Sequence, residues 1–259
     1  MGGAWAPAQF HNTDGRAAIV LVCEHAARLI PGDFDDLGLA EAALHSHAAW
    51  DIGALDVARG LSEALDAPLV SAGVSRLLYD CNRPPSAPDC IPEKSEVFAI
   101  PGNRDLSDVQ RDTRRRLIHD PFHNAVDGLI GSQIAKTGRP VIVITAHSFT
   151  PVFHGRRRAV EIGFLHHANA RLSEAAQRLE ARRGRYRVEL NAPYSAADGV
   201  TYSLRRHADA RQLHSTMIEI RNDLIDSKET AQAVAAHLAV TLRDAIDLVT
   251  QKTCALEKT

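Results

Sequence analysis

The hydrophobic residues form short apolar runs that alternate with longer amphipathic stretches. Residues 17–23 read AAIVLVC, and residues 140–145 read PVIVIT. Runs of this length with an apolar side chain at nearly every position are typical of strands buried on both faces of a parallel sheet. Further strands are predicted at residues 68–71, 159–165, 186–190 and 215–220.

Between these runs, apolar residues recur at steps of three and four, which is the spacing of a helix that buries one face. The predicted helices cover residues 39–65, 109–136, 172–182 and 230–249, and Pro121 is expected to break or restart the second one. Parallel neighbouring strands need long crossover connections, which helices provide. The sequence therefore predicts an α/β fold with a mostly parallel or mixed central sheet and helices on both faces.

The domain organisation follows from the same pattern. Residues 1–16 contain three glycines and a proline and no regular spacing, so we expect a flexible N-terminal arm. Residues 17–259 contain no repeat and no low-complexity linker, and a chain of 259 residues is within the range of one α/β domain. The sequence predicts a single catalytic domain over residues 17–259.

Composition and charge exclude several classes of function. Lys and Arg total 30 and Asp and Glu total 32, so a net charge of -2 provides no broad positive field for nucleic acid or an anionic membrane. The four cysteines include no CxxC pair, and we interpret them as reduced thiols. The sequence shows no signal peptide and no apolar stretch long enough to span a bilayer, so we expect a cytoplasmic protein. The oligomeric state is left open.

Polar side chains follow two of the strongest apolar runs. Glu24 and His25 come directly after the first run, and His147 follows VIVIT and one alanine. In open α/β sheets, ligands bind beyond the carboxyl ends of the strands. Two imidazoles and a carboxylate suit a catalytic zinc ion, which takes three protein ligands and leaves one position open. We predict His25, His147 and Asp51 as the ligands of a zinc ion.

The third ligand has alternatives. Glu24 is a rival carboxylate, and Asp51 could instead complement the positive end of a helix. His45 and His47 could also contribute, since His47 and Asp51 are four residues apart on one helical face. A histidine after a strand is often only a hydrogen-bonded structural residue, but two in equivalent positions favour a metal site.

Glu219 lies inside the apolar run TMIEI, where an unpaired carboxylate is costly to bury. A functional explanation is a general base, because a buried glutamate with a raised pKa can accept a proton from water and pass it to a leaving amine. The structural alternative is an ion pair with Arg221 or another arginine.

Residues 75–85, SRLLYDCNRPP, combine charged residues with two prolines and are predicted to form a rigid binding loop. Arg83 can bind a carboxylate through two parallel hydrogen bonds, and Asn82 can add a third. Arg76 is a further candidate, although it could simply pair with Asp80 at the surface. A small acidic substrate is the predicted partner of this loop.

Residues 191–207 mix turn-forming residues with Arg205, Arg206 and His207, and the segment is long enough to act as a lid. His207 could contact the substrate or stabilise a tetrahedral intermediate. We therefore include His207 among the catalytic candidates.

Taken together, these segments resemble the N-formylglutamate amidohydrolase family over residues 20–224. The resemblance implies a fold similar to zinc-dependent exopeptidases of the phosphorylase/hydrolase-like type, and hydrolysis of an N-formyl amino acid to formate and a free amino acid such as L-glutamate. It implies Asn82 and Arg83 as the site for the substrate carboxylate and Glu219 as the base, and its motifs add Asn191 and Arg221 as substrate-binding candidates. The motifs are CEHA (23–26), WDIGA (50–54), SRLLYDCNRP (75–84), TAHSF (145–149), NAPYS (191–195) and IEIRNDL (218–224).

The chain departs from the related enzymes in two places. The His-x-x-Glu of carboxypeptidases is absent after His25, because position 28 is Arg28. Family enzymes of histidine degradation carry a Gly-rich stretch before Thr-Arg-His, whereas residues 200–207 read VTYSLRRH. The resemblance is thus to a related branch, with N-formylglutamate as the leading substrate.

Two other functions are kept as alternatives. One is a cysteine hydrolase with Cys23 as nucleophile, although Cys23 ends an apolar strand next to Glu24, a setting that raises the pKa of a thiol. The other is a non-catalytic module that captures small acids through Arg76, Asn82 and Arg83. Such capture does not require the histidines or Glu219.

Overall fold

A computed structural model describes residues 5–256, and the side chains of residues 5–251. A seven-stranded sheet with the order β1-β3-β2-β6-β11-β9-β10 forms the centre, and two small hairpins pair β4 with β5 and β7 with β8. The strands are β1 (Ala8–His11), β2 (Ile19–Cys23), β3 (Leu69–Ala72), β4 (Lys94–Ser95), β5 (Phe98–Ala99), β6 (Ile142–Phe149), β7 (Val152–Phe153), β8 (Arg156–Arg157), β9 (Ile162–Leu165), β10 (Val188–Leu190) and β11 (Ser215–Arg221).

The four central strands β3, β2, β6 and β11 run parallel, and β9 and β10 run antiparallel to them. Both faces of the sheet are covered, because alternate residues of β2 pack into different cores. The helices are α1 (Glu41–Leu44), α2 (Ala54–Leu65), α3 (Asp108–Arg114), α4 (Asp120–Thr137), α5 (Arg171–Arg183) and α6 (Lys228–Leu256). Leu21 packs into a core with α2, α5 and α6, and Val22 into a core with α4. The predicted α/β fold is confirmed.

The helix predicted over residues 39–65 is interrupted. Only α1 and α2 are helical, and the chain between them turns at Gly53, whose φ of 79° places it in the left-handed region. Asp51 therefore lies in the connection before α2, where its carbonyl oxygen accepts from the backbone N–H of Ala54 at 3.1 Å. This irregular connection is what directs the Asp51 side chain toward the strand ends.

We expect Gly53→Ala to lower the free energy of unfolding by about 2 kcal/mol or more, since a left-handed residue with a side chain is strained. A Cβ at this position would also lie 2.3 Å from the carbonyl oxygen of Ile225. Urea unfolding measures the change. Gly128→Ala is the matched control: Gly128 lies in α4 with nothing within 4 Å of an added Cβ, so this variant should gain roughly 0.5–1 kcal/mol. Equal effects at the two positions would contradict the prediction.

The second long helix restarts at Pro121, one of the two outcomes predicted, and is not broken there. The chain passes from α3 through a π-helical turn, Arg115–His119, directly into α4. Pro121 lies in the first turn of α4, and no non-helical residue separates α4 from the π-helical turn before it. A proline is tolerated at such a position.

The predicted N-terminal arm is wrong for residues 8–11, which form β1 and pair antiparallel with β3. Without this pairing, β3 would be an edge strand with a free row of backbone groups. Residues 1–4 lie outside the described residues, and the single domain over residues 17–259 stays a prediction. None of the described helices meets the length and apolarity needed to cross a membrane.

Candidate metal centre and active site

The strand order brings the candidate residues together. Glu24 and His25 follow β2 directly, and β2 lies beside β6, which carries His147. On the other side of β6, Glu219 of β11 is the register partner of His147. Because these strands are parallel, their carboxyl ends meet at one edge of the sheet. Asp51 reaches the same place from the connection before α2, where its backbone N–H donates to the carbonyl oxygen of His25 at 2.9 Å.

Three buried side chains converge on one point. Asp51 Oδ2 lies 3.3 Å from His25 Nδ1 and 2.9 Å from His147 Nδ1, and the two Nδ1 atoms are 3.2 Å apart. All three residues are buried and are grouped closely enough to hold one metal ion. Ligands bound tetrahedrally to zinc at its usual 2.0–2.1 Å are separated by about 3.3 Å. The observed spacing matches that of a shared metal.

The outer ring nitrogens explain why the convergence favours a cation. His25 Nε2 lies 2.8 Å from Asp80 Oδ1, and His147 Nε2 lies 3.0 Å from Glu24 Oε2. A neutral imidazole that donates from Nε2 has its lone pair on Nδ1, so two lone pairs and a carboxylate oxygen face one another. Carboxylate partners of this kind orient histidines that bind metals. The donor set therefore fits a divalent metal ion.

The buried charges lead to the same conclusion. Four carboxylates, of Glu24, Asp51, Asp80 and Glu219, are buried around the histidines. Arg76 pairs with two of them, Asp51 and Asp80, at 3.2 Å each. This guanidinium balances only part of the negative charge, and buried charges require compensation. The site therefore has capacity for further positive charge.

The pKa shifts have the direction expected of such a site. Burial raises the pKa of Asp51, but His25, His147 and Arg76 outweigh it and hold this pKa well below the ordinary value. Burial lowers the pKa of His147, whereas Glu24 and Asp51 raise it well above the ordinary value. The Asp51 carboxylate thus remains ionised and attracts a positive charge to the imidazoles.

The rival ligands lie outside the converging atoms. Glu24 contacts the outer nitrogen of His147, and His47 Nε2 is 4.0 Å from the other oxygen of Asp51. His45 is more than half exposed and faces Glu41 at 3.9 Å. The geometry thus favours Asp51 as the third ligand.

Glu219 is buried next to this group, and its Oε2 has no hydrogen-bond partner within the described residues. Burial, with a contribution from Asp51, raises its pKa to about 7 against the opposing effect of His147. The alternative of an ion pair with Arg221 is wrong, because that guanidinium binds Asp223 at 2.7 Å and Glu161 at 3.3 Å. Glu219 can therefore exchange a proton near neutral pH.

A cavity of about 130 Å³ opens onto these residues. Arg83 is at its wall, and the guanidinium uses only Nε, which donates to Asp89 at 2.7 Å, among the described contacts. The side chain of Asn82 is already engaged, since its oxygen accepts from the Ser203 backbone at 3.1 Å and its nitrogen donates to the Val200 carbonyl. The lining residues are His25, His47, Asp51, Arg76, Asn82, Arg83, His147, Ser148, Tyr194, Val200 and Glu219.

Three other candidates, His207, Asn191 and Arg221, are not brought to the cavity. His207 is fully buried elsewhere, with Nδ1 2.8 Å from Asp127 and Nε2 2.7 Å from His123. The side chain of Asn191 contacts the backbone and ring of His166 at 3.1 and 2.9 Å. Their polar groups are satisfied there, so the structure does not place them, or Arg221, against a substrate in this cavity. The lid role of residues 191–207 stays a prediction.

Sequence reasoning missed Tyr194 as a cavity residue and Asp80 as the partner of His25. Asp80 is 55 positions from His25, and no local pattern links the two. Tyr194 lies within the NAPYS motif (191–195), and this motif is the sequence signal that could have identified it as a site residue.

Cys23 is fully buried in β2 and does not line the cavity. Burial, together with the charges of Glu24 and Asp51, raises the pKa of its thiol well above the ordinary value. A nucleophilic cysteine needs an accessible thiolate. These observations contradict the cysteine-hydrolase alternative.

Comparison with known proteins agrees with the resemblance. The sequence model of the N-formylglutamate amidohydrolase family matches residues 17–226. The crystal structure of a gene product from Agrobacterium tumefaciens is 45% identical, with a TM-score of 0.92 over 95% of this chain and 96% of that one. The N-formylglutamate amidohydrolase from Ralstonia eutropha is 20% identical, with a TM-score of 0.65 over 93% of this chain and 97% of that one, and shows the shared fold. No curated protein matches the sequence.

Proposed function

The chain belongs to the N-formylglutamate amidohydrolase family, and we propose that it is a zinc-dependent enzyme that hydrolyses N-formyl-L-glutamate to formate and L-glutamate. The observation that carries the proposal is the convergence of His25, Asp51 and His147 on one point at the wall of a cavity. Beside them lies Glu219, whose Oε2 has no hydrogen-bond partner in the described part of the chain. Amide hydrolysis needs a polarised carbonyl, an activated water and a proton for the leaving nitrogen. These residues meet all three needs.

His25, Asp51 and His147 would hold the metal ion, and zinc is the ion that such a set of two imidazoles and one carboxylate commonly binds. A zinc ion bound there would supply Lewis acidity, which polarises the substrate carbonyl and makes water more acidic. Asp80, through a hydrogen bond to His25, and Glu24, through an ion-pair contact with His147, hold the two imidazoles with Nδ1 toward the metal position. Arg76 in turn fixes Asp51 and Asp80.

Glu219 is the proposed general base. Its carboxylate accepts a proton from the attacking water and then donates it to the amide nitrogen as the carbon–nitrogen bond breaks. A base with a pKa near the working pH serves both steps, and burial gives Glu219 this property. Arg83 is proposed to bind the substrate α-carboxylate through its two terminal nitrogens, which have no described partner.

The value of kcat/KM is expected to rise with pH up to about pH 7. The base is active as the carboxylate, so activity grows as pH passes upward through the Glu219 pKa of about 7. A bound cation lowers that pKa, so the rise is expected at or somewhat below this value. A profile from about pH 5 to about pH 9 with zinc-loaded protein checks it. Activity that falls between about pH 5 and about pH 7 would contradict the assignment.

The test of the proposed function is release of free L-glutamate from N-formyl-L-glutamate by purified protein, before chelation, after chelation and after zinc is restored. We expect turnover that chelation abolishes, that zinc restores and that a thiol alkylator leaves unchanged. Activity that survives complete metal removal would overturn the metal-dependent mechanism. Tight binding of the acid with no turnover and no effect of chelation would support the binding-module alternative instead.

A further inference from the structure

Arg158, at the end of the β7–β8 hairpin, has an unusual environment. Its guanidinium lies among three aromatic rings, with Cζ 4.4 Å from the ring centre of Phe153, 5.0 Å from Tyr194 and 5.4 Å from Phe149. It donates to the carbonyl oxygen of Thr150 at 3.2 Å and to the Tyr194 hydroxyl at 3.0 Å. Aromatic faces attract a cation but do not neutralise its charge.

The backbone of Arg158 is held as firmly as its side chain. Its N–H donates to the carbonyl oxygen of Pro151 at 2.8 Å, and its carbonyl oxygen accepts from the guanidinium of Arg221 at 3.3 Å. Arg221 is itself fixed by Asp223 and Glu161. The position of the Arg158 charge is therefore set in advance, which lowers the entropic cost of binding an anion.

No carboxylate forms an ion pair with Arg158 among the side chains of residues 5–251. Two of its five N–H donors have protein partners, which leaves three for another acceptor. A half-buried guanidinium without an acid is an unbalanced charge.

Arg158 is connected to the candidate active site through Tyr194. Tyr194, which accepts its hydrogen bond, lines the cavity together with His47. The guanidinium of Arg158 is therefore in direct hydrogen-bond contact with a residue of the cavity wall.

The two arginines that line the cavity, Arg76 and Arg83, differ from Arg158. Arg76 is paired with Asp51 and Asp80 through both terminal nitrogens, so it is committed to the protein. Arg83 contacts Asp89 through Nε and is the proposed partner of one substrate carboxylate. A substrate with a second carboxylate would need a second uncommitted cation, and Arg158 fits this description among the three arginines compared.

We infer that Arg158, held by Tyr194, binds the side-chain carboxylate of the substrate and makes the enzyme selective for dicarboxylic N-formyl amino acids. The inference deepens the proposed function and rests on it for the identity of the acyl group. It predicts discrimination between N-formyl-L-glutamate and N-formyl-L-glutamine, which have similar shapes and differ in one negative charge. It also gives Arg221 the role of a positioning residue that holds the Arg158 backbone.

The experiment compares both compounds with the unaltered chain and with Arg158→Met. Loss of a charged hydrogen-bond partner is expected to lower kcat/KM for N-formyl-L-glutamate about 10- to 100-fold. The value for N-formyl-L-glutamine should stay within about twofold, because its neutral amide forms weaker hydrogen bonds. Arg158→Lys should restore part of the preference, and Arg157→Met, at an exposed neighbouring arginine of β8, should leave the preference unchanged.

Calorimetric binding of both compounds in the Glu219→Gln background separates this inference from the proposed function, because binding is read without turnover. The unaltered chain could bind the dicarboxylate preferentially, through Arg158, and yet show no turnover. This result would overturn the proposed hydrolysis and leave the inference intact. Equal loss of affinity for the two compounds in Arg158→Met, with an unchanged melting temperature, would overturn the inference. An unaltered chain that shows no preference would also overturn it.

Discussion

Glu219→Gln is expected to lower kcat by about 100- to 10,000-fold, the range associated with removal of a general acid–base catalyst. Glutamine has nearly the shape of glutamate, but its amide cannot accept a proton from water or return one to the leaving nitrogen. Because Glu219 is not one of the three converging ligands, the metal content should stay that of the unaltered chain. The measurements are kcat and KM with N-formyl-L-glutamate and the bound zinc per chain.

The same variant should not lose stability, which separates catalysis from folding. Burial raises the Glu219 pKa to about 7, so the folded metal-free protein binds this proton more tightly than the unfolded chain does. Stability from this group is present below the unfolded pKa and is lost as pH rises toward about 7. A neutral glutamine removes this loss, so the melting temperature of the metal-free variant above pH 7 should equal or exceed that of the unaltered protein.

Glu189→Gln is the matched control, since Glu189 lies half-exposed on β10 outside the cavity and forms a pair with Arg187 at 3.8 Å. This variant should retain full kcat. A Glu219→Gln variant that binds zinc fully and keeps kcat within a few fold would show that another group accepts the proton.

The parts of the fold that sequence reasoning predicted are those with strong patterning. Runs such as AIVLVC and PVIVIT are buried on both faces, so each position is constrained to be apolar and the strand is visible locally. By contrast, β1 has two exposed positions within AQFH, and its existence depends on pairing with β3, which lies about sixty residues later. The break before α2 depends on Gly53 approaching Ile225, a contact between distant segments.

The candidate site divides in the same way. His25, His147 and Glu219 could be predicted because each interrupts or follows an apolar run at the carboxyl end of a strand. The choice between Asp51 and Glu24 could not be made from spacing, because it depends on which imidazole nitrogen each carboxylate faces. His207 and Arg221 are also near strands or motifs, but their partners, Asp127 and Asp223, are identified only by the folded geometry.

His147→Ala is expected to abolish both stoichiometric zinc binding and activity, because it removes one of three converging donors and exposes the charges of Asp51 and Glu24 to each other. Glu24→Gln should have a smaller effect, since Glu24 only orients the outer nitrogen of His147. Loss of such an outer partner typically weakens metal affinity about 10- to 100-fold. Zinc titrations with each variant measure this difference directly, without reliance on turnover.

The two variants should also differ in rescue, which is the stronger test of the ligand assignment. Excess zinc should restore most activity to Glu24→Gln, because all three donors remain, and none to His147→Ala. His45→Ala is the matched control. His45 is an exposed histidine that faces Glu41 and does not contact the converging atoms. If His45→Ala lost zinc while His147→Ala kept it, His45 and His47 would have to be assigned as ligands in place of His147. If Glu24→Gln lost zinc beyond rescue, Glu24 would be a ligand itself and Asp51 would take the orienting role.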